Sequence, residues 1–328
     1  MEKIDFVVTW VDGNDPVWQK EKSKYSKSND DDSLNTDARY REMDLMRFWF
    51  RSIEKNVPWV NKIFFVTEGH VPGWLNLNHP KICLVKHSDF IPKEYLPTFS
   101  SNVIELNLYR IKELSEYFVL FSDDVFVNRE VSPQDFFKNN VPRLLGVYRP
   151  IIPNKEFSYV EFNNIFIVNK YLSSFNSDKK RLLQLFSPGY GKYNLFNFFS
   201  LFYKGIIGYE NQHVAMPSLK STYQEIWELE SKLLHKQCKR KFRTKDDVNH
   251  WLMSYWNIEN MRFHPQNLKF GKYIPLSSIE EIRKIINQEK LKLICINDDE
   301  RTKDFDVEVE LVRNLFESKY PDKSKFEL

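Results

Sequence analysis

Cysteine is scarce in this sequence: three residues in 328, at positions 83, 238 and 295, with no Cys-x-x-Cys pair. Nothing therefore suggests a zinc site, and an odd, sparse count fits a reducing cytoplasm better than a disulfide-stapled secreted scaffold. Cys83 and Cys295 lie inside apolar strand-like runs and are expected as buried thiols. Long apolar runs are missing too. None approaches the ~20 residues of a membrane span, and Met1-Glu2-Lys3-Ile4-Asp5 lacks the apolar core of a signal peptide. Charge of one sign is missing as well. A formal net charge of +3 gives no global reason to expect nucleic acid as a partner. There is no internal repeat and no low-complexity tract.

What is abundant is hydrophobic and aromatic. Hydrophobic residues make up 42% of the chain, enough for a sizeable core and against wholesale disorder. The 27 Phe and 16 Tyr favour dense packing first and a sugar- or base-stacking site second. The length suits one large domain or two small ones.

Strand and helix signals alternate along the first half. Ile4 to Trp10 reads as a strand ending in the turn Val11-Asp12-Gly13-Asn14-Asp15-Pro16. Residues 19–36, with Asp30-Asp31-Asp32, read as a solvated loop. Asp37 to Asn56 has helical spacing, with Met43, Met46, Phe50 and Ile53 on one face. Strands follow at Asn61 to Thr67 and Ile82 to Val85, then a helix over Ser100 to Glu116. Such alternation predicts an α/β fold with a parallel or mixed sheet and helices on both faces. The pattern changes near residue 170. The expected division is an α/β part over 1–169, a mainly helical insertion or lid over 170–270 with a helix at Leu219 to Leu234, and a C-terminal part over 271–328. That last part holds a strand at Leu291 to Ile296 and a helix at Asp306 to Ser318.

The most pointed signal is Tyr117-Phe118-Val119-Leu120-Phe121-Ser122-Asp123-Asp124-Val125. It reads as a buried strand with two acids at its carboxyl end, where open α/β sheets bind ligands. Adjacent carboxylates repel unless a cation or proton relieves them. The C-terminal strand also ends in amide and acid, Asn297-Asp298-Asp299. Two such tips could supply the few oxygen ligands that magnesium takes from protein. Acidic turns after strands are common, so the pattern alone leaves a plain solvated turn open.

Several stretches, in order, resemble the Stealth family of capsular polysaccharide phosphotransferases. They begin with Ile4 through Pro16. Next come Arg39-Tyr40-Arg41, Leu45, Arg51-Ser52-Ile53-Glu54, Pro58-Trp59-Val60, Pro72-Gly73-Trp74-Leu75, Leu96-Pro97-Thr98-Phe99-Ser100-Ser101, Glu105 and Ser122-Asp123-Asp124-Val125. Then come His213-Val214-Ala215-Met216-Pro217, Phe242-Arg243 with Asp247, and Ile296-Asn297-Asp298 with the closing helix through Pro321. The match weakens between residues 130 and 210. The family is related to the catalytic core of the animal N-acetylglucosamine-1-phosphotransferase. The resemblance implies a Rossmann-like nucleotide-sugar transferase sheet (GT-A-like) with a helical insertion. It also implies transfer of a sugar 1-phosphate from a nucleotide sugar, expected to be UDP-linked, to a glycan hydroxyl.

On that reading magnesium, or manganese in its place, is held by Asp124, Asn297 and Asp298, with Asp123 a ligand or the base. His213 is the candidate general base, because its ordinary pKa lies near the working pH. Arg243 and Arg110 are candidate phosphate-binding groups. Trp10, Asp12, Gly13 and Asn14 are expected beside the nucleotide, while Trp59 and Trp74 are expected in the core. Arg243 sits among Lys236, Lys239, Arg240, Lys241 and Lys245. This cluster is either a plain solvated face or a contact for anionic lipid or polymer. The resulting expectation is a cytoplasmic enzyme, peripheral to the inner face of the membrane. An ordinary metal-dependent glycosyltransferase releasing a nucleoside diphosphate is the alternative, since an acid pair serves both chemistries.

Overall fold

A computed structural model describes residues 2–26, 34–36, 39–172, 183–298 and 302–328. The Asp30-Asp31-Asp32 run and Asp299 lie outside the described residues. The central sheet begins with strand β1 (Ile4–Thr9), joined by β2 (Ile63–Thr67), β3 (Ile82–Lys86) and β4 (Tyr117–Ser122). Two short strands follow β5 (Val125–Val127), namely β6 (Phe137–Lys138) and β7 (Val141–Leu144). Then come β8 (Met216–Leu219), β9 (His264–Pro265), β10 (Gly271–Pro275) and β11 (Leu293–Asn297). The five-stranded sheet runs in the order β3-β2-β1-β4-β8, with the first four strands parallel and β8 antiparallel at the edge. The expected α/β class is what forms.

Side-chain alternation divides the core. Ile4, Phe6 and Val8 of β1, with Val119 and Phe121 of β4, pack on one face against helix Met46–Asn56. Val7, Phe118 and Leu120 point the other way, into a cluster with Tyr223, Trp227 and Leu252. Period-two alternation with both faces covered is the expected result for strands buried in the middle of a sheet. At its amino end the sheet is tied by Asp5, which is fully buried. The Asp5 carboxylate accepts from Asn61 Nδ2 at 2.6 Å and from the Ser115 backbone N–H at 2.8 Å.

A helix at Pro16–Ser23 forms where the sequence reads as turn and solvated loop, started by the Asp15 side chain accepting from the Trp18 N–H at 2.8 Å with Pro16 in the first turn. Three of the expected helices differ from expectation. The helix expected from Asp37 begins only at Met46, because Asp44 adopts a left-handed φ of 54° that an α-helix cannot continue through. The helix expected over Ser100 to Glu116 is Ser101–Leu106 followed by a 3₁₀ turn at Leu108–Arg110. There the Asn107 side chain donates to the Val103 carbonyl at 2.8 Å, a local bond that competes with helix continuation. The helix expected over Leu219 to Leu234 divides into Lys220–Leu229 and Ser231–Cys238 at Glu230. The 170–270 segment supplies these helices and also β8, which pairs with β4.

Topology carries the acid tips to one place. Strand β4 ends at Ser122, the chain turns at Asp123-Asp124, and β5 leaves for a second sheet of order β10-β11-β5. There β5 runs antiparallel to β11 with Val125 opposite Cys295, and the Ile296 N–H donates to the Asp124 carbonyl at 2.9 Å. This register leaves Asn297 and Asp298 beside the Asp123-Asp124 turn. Thr9 of β1 pairs with Ser122, so the end of the first strand lies there as well.

Candidate active site

The turn between the two sheets concentrates negative charge in a poorly solvated place. Asp124 is 5% exposed. Its Oδ2 accepts from Asn297 Nδ2 at 2.7 Å and from the Cys295 thiol at 3.3 Å, while its buried Oδ1 has no hydrogen-bond donor. Burial and the adjacent carboxylates push the Cys295 thiol well above its ordinary pKa, so it stays a protonated donor. Burial pushes the neighbouring Asp123 carboxyl up to about 8, and the charges of Asp124 and Glu42 add to it. Asp298 Oδ2 lies 2.6 Å from Arg41 Nη2, and its buried Oδ1 lacks a donor. Asp123, Asp124, Asn297 and Asp298 therefore stand together at the rim of one cleft. A buried carboxylate oxygen without a donor is costly unless a cation meets it. Their hard oxygens suit magnesium or manganese better than a soft metal. A different trio of possible ligand atoms, from Asp124, His213 and Cys295, lies within 4.8 Å of one another, with the Cys295 thiol held protonated.

His213 faces this group from the segment before β8. Its Nε2 is 3.8 Å from Asp124 Oδ2, and its φ of 46° is left-handed. Neighbours hold the segment in that strained conformation. Gln212 Nε2 donates to the Leu268 carbonyl at 2.7 Å, and Asn211 Nδ2 donates to the Tyr255 hydroxyl at 2.6 Å. The imidazole stands edge-on to Trp251 and Tyr273, with centroids 6.1 and 6.0 Å away. Burial lowers its pKa from 6.5; Asp124 pulls it back up in part, and His250 opposes that. A neutral ring with a free lone pair results near pH 7.

Cations line the same cleft. Arg243 Nη2 donates to Ser101 Oγ at 2.7 Å, while its buried Nε has no acceptor. Arg39 is lowered from its ordinary pKa, by burial first and then by the like charge of Arg243. Among the described residues no carboxylate lies within ion-pair distance of either guanidinium. Two neighbouring guanidiniums without an ion-paired carboxylate have the chemistry that suits a phosphate.

Sequence reasoning gave Arg39, Arg41, Glu105 and His250 no role, yet all four line this cleft. Glu105 is 5% exposed, and its Oε2 lies 2.6 Å from His250 Nδ1. Arg39, Arg41 and Glu105 stood inside the family-like stretches and could have been weighed there; His250 carried no such signal.

The cleft has a volume of about 230 Å³. Trp10 forms part of its wall, stacked on Phe65 with its Nε1 donating to Glu42 at 3.3 Å. Asp12, Gly13 and Asn14 form the adjoining turn and are not part of that wall. Asp12 Oδ1 accepts from the Asn14 N–H at 2.9 Å. Gly13 is needed for close approach, since a Cβ there would lie 1.7 Å from the Tyr40 carbonyl oxygen, between Arg39 and Arg41. Arg110 is not brought to the cleft. Its Nε donates to Asn107 Oδ1 at 2.9 Å, and its guanidinium lies over Tyr109 and Trp227. Trp59 and Trp74 pack against the core as expected.

Three family models match the chain: Stealth protein conserved region 1 over residues 2–30, region 2 over 39–144 and region 4 over 284–328. Among curated proteins, the capsular polysaccharide phosphotransferase WcwK of Streptococcus pneumoniae is 60% identical, covering 100% of this chain and 99% of its own. The receptor polysaccharide phosphotransferase WefC of Streptococcus oralis is 38% identical over the full length of both. The exopolysaccharide phosphotransferase cps2G of Lactiplantibacillus plantarum is 32% identical over 99% of this chain and 96% of its own. A solved structure of the apo-form glycosyltransferase GlyE of Streptococcus pneumoniae TIGR4 aligns over 98% of this chain and 90% of that one. Its 8% identity and TM-score of 0.25 bear on neither fold nor chemistry. Ordered region matches and full-length identity to polysaccharide phosphotransferases together establish that this chain belongs to the Stealth family.

Proposed function

We propose that this protein transfers a sugar 1-phosphate from a nucleotide-activated sugar to a glycan hydroxyl during capsular or other surface polysaccharide synthesis. The supporting observation is a single cleft that gathers buried carboxylate oxygens without hydrogen-bond donors, Asp124 Oδ1 and Asp298 Oδ1, with the guanidiniums of Arg39 and Arg243, which have no carboxylate within ion-pair distance among the described residues. A pyrophosphate bound through a divalent cation matches both.

In this reading the acceptor hydroxyl attacks the phosphorus nearest the donor's sugar. A new oxygen–phosphorus bond forms, the bond to the second phosphate breaks, and a nucleoside monophosphate leaves with that electron pair. The hydroxyl proton goes to His213 Nε2, which is uncharged near neutral pH because burial lowers its pKa. Asp124 holds the ring's side of the cleft electrostatically. Arg39 and Arg243 hold non-bridging oxygens, where charge is spread in the transition state. Glu105 orients His250 beside them. Magnesium, held by Asp124, Asn297 and Asp298 with Asp123, would neutralise pyrophosphate charge. Trp10 suits the nucleotide base, and a uridine donor is the first to test. Three free thiols, two of them buried, suit a cytoplasmic site of reaction.

A panel of nucleotide sugars incubated with short glycan acceptors and magnesium, and read by mass, tests this. The expected product gains one sugar together with one phosphate. A product heavier by the sugar alone would assign ordinary glycosyl transfer instead.

A further inference from the structure

Helix Asn194–Ser200 is built inside out. Its polar residue Asn197 is fully buried, while Leu195 is 61% exposed, Phe198 48% and Phe199 57%. The turns that continue it leave Phe202 74% exposed and Tyr203 46%. This orientation is fixed, not incidental. Asn197 Nδ2 donates to the Gly146 carbonyl at 2.8 Å and to the Leu185 carbonyl, and Asn197 Oδ1 accepts from the Tyr148 N–H at 2.7 Å. Ser200 Oγ donates to the Asn197 carbonyl at 2.7 Å. Rotating the helix to bury its aromatics would break all the Asn197 bonds and leave buried backbone groups unpaired.

The charge within this segment has one sign. From residue 183 to residue 209 the chain has no aspartate or glutamate, and its charged residues are Lys192 and Lys204. Both lysines are exposed. Aromatic and leucine side chains with flanking lysines and no acid match the boundary between lipid headgroups and acyl chains. Protein interfaces, by contrast, are depleted in lysine. No described helix is long and apolar enough to cross a membrane, so such a face would lie on a bilayer and not span it.

We propose that Leu195, Phe198, Phe199, Phe202 and Tyr203, flanked by Lys192 and Lys204, form a docking surface for a bilayer containing anionic lipid. The basic cluster at residues 236–245 is a poorer candidate, because much of its charge is engaged within the protein. Lys239 pairs with Glu94, Arg240 with Asp246 and Asp247, and Lys241 donates to the Tyr95 and Leu96 carbonyls. Docking at the aromatic face also bears on the cleft. Tyr148, which Asn197 holds, pairs with Tyr209, four residues before His213. The surface and the His213 segment are thus linked by a short run of contacts.

Sedimentation with vesicles of phosphatidylcholine, alone or mixed with phosphatidylglycerol, tests the proposal without any turnover. Wild-type protein should bind the mixed vesicles more tightly and release with salt. The pair Phe199→Ser and Phe202→Ser should weaken binding about tenfold or more, since each removes a large apolar insertion. The pair Lys192→Gln and Lys204→Gln should reduce binding to the mixed vesicles toward the level seen with phosphatidylcholine alone. Melting midpoints should match wild type, as the altered side chains are exposed. Three results would overturn the proposal: wild-type protein that stays in the supernatant with both vesicles, a Phe199/Phe202 variant that binds like wild type, or a soluble oligomer that this variant dissolves without any vesicle binding. The last would make the face a protein interface.

Discussion

Replacing Asp123 with asparagine should stabilise the metal-free protein while removing its activity. The Asp123 carboxyl is pushed from 3.8 to about 8, by burial first and by Asp124 second. At ~1.36 kcal/mol per unit, that shift sets a ceiling of about 5–6 kcal/mol on the cost of keeping it ionised in the fold. The side chain keeps partial access to the cleft, so screening and relaxation reduce the realised gain to roughly 1–3 kcal/mol. For a chain this long that is about 2–10 °C in melting temperature. The sign with pH follows from linkage. An acid whose folded pKa is raised binds its proton more tightly when folded, so its contribution to stability falls as pH rises from about 4 through about 8. The difference between Asp123→Asn and wild type should therefore widen over that interval and level off above it. Thermal or urea unfolding in chelator at pH 5.5, 7 and 8.5 measures this. A variant less stable than wild type at pH 8.5, or a difference that shrinks as pH rises, would refute the reasoning, because the carboxylate would then be making favourable contacts.

Other perturbations separate the roles in the cleft. His213→Ala should lower turnover by roughly 10²–10⁴ with little change in donor affinity, measured by steady-state kinetics and donor titration; in the wild type the acidic limb of the rate profile should fall below pH 6.5. Arg243→Ala should cost far more activity than Arg110→Ala, since Arg110 stacks on Tyr109 and Trp227 away from the cleft; equal losses in parallel assays would contradict the assignment. Gly13→Ala should lower the melting temperature and the activity together, because its Cβ meets the Tyr40 carbonyl and displaces the Arg39–Arg41 segment. Asp124→Asn should abolish activity and leave the circular dichroism spectrum unchanged.

The parts of the site that rest on local pattern were legible in the sequence. Strands β1 and β4 announced themselves as apolar runs ending in polar residues, and the acid tips followed directly. What brings Asn297 and Asp298 to Asp124 is the pairing of β11 with β5, a strand of three residues. So short a segment has no periodicity to read. The Glu105–His250 contact spans 145 positions and has no local signature. The short helix at Met46–Asn56 likewise depends on a single left-handed residue, Asp44, within otherwise helical spacing. Arg110 misled for the opposite reason: an arginine close to the acid strand in sequence is turned toward Tyr109 beside it and Trp227 on another helix.

The central claim is that the bond broken lies between the two phosphates and not at the sugar carbon. The nucleotide released from a donor such as a uridine diphosphate sugar tests it most directly, by chromatography alongside phosphorus NMR of the glycan product. The account predicts uridine monophosphate in step with product, a phosphodiester resonance, and the donor's anomeric configuration kept. Stoichiometric uridine diphosphate with a phosphate-free glycoside would contradict it.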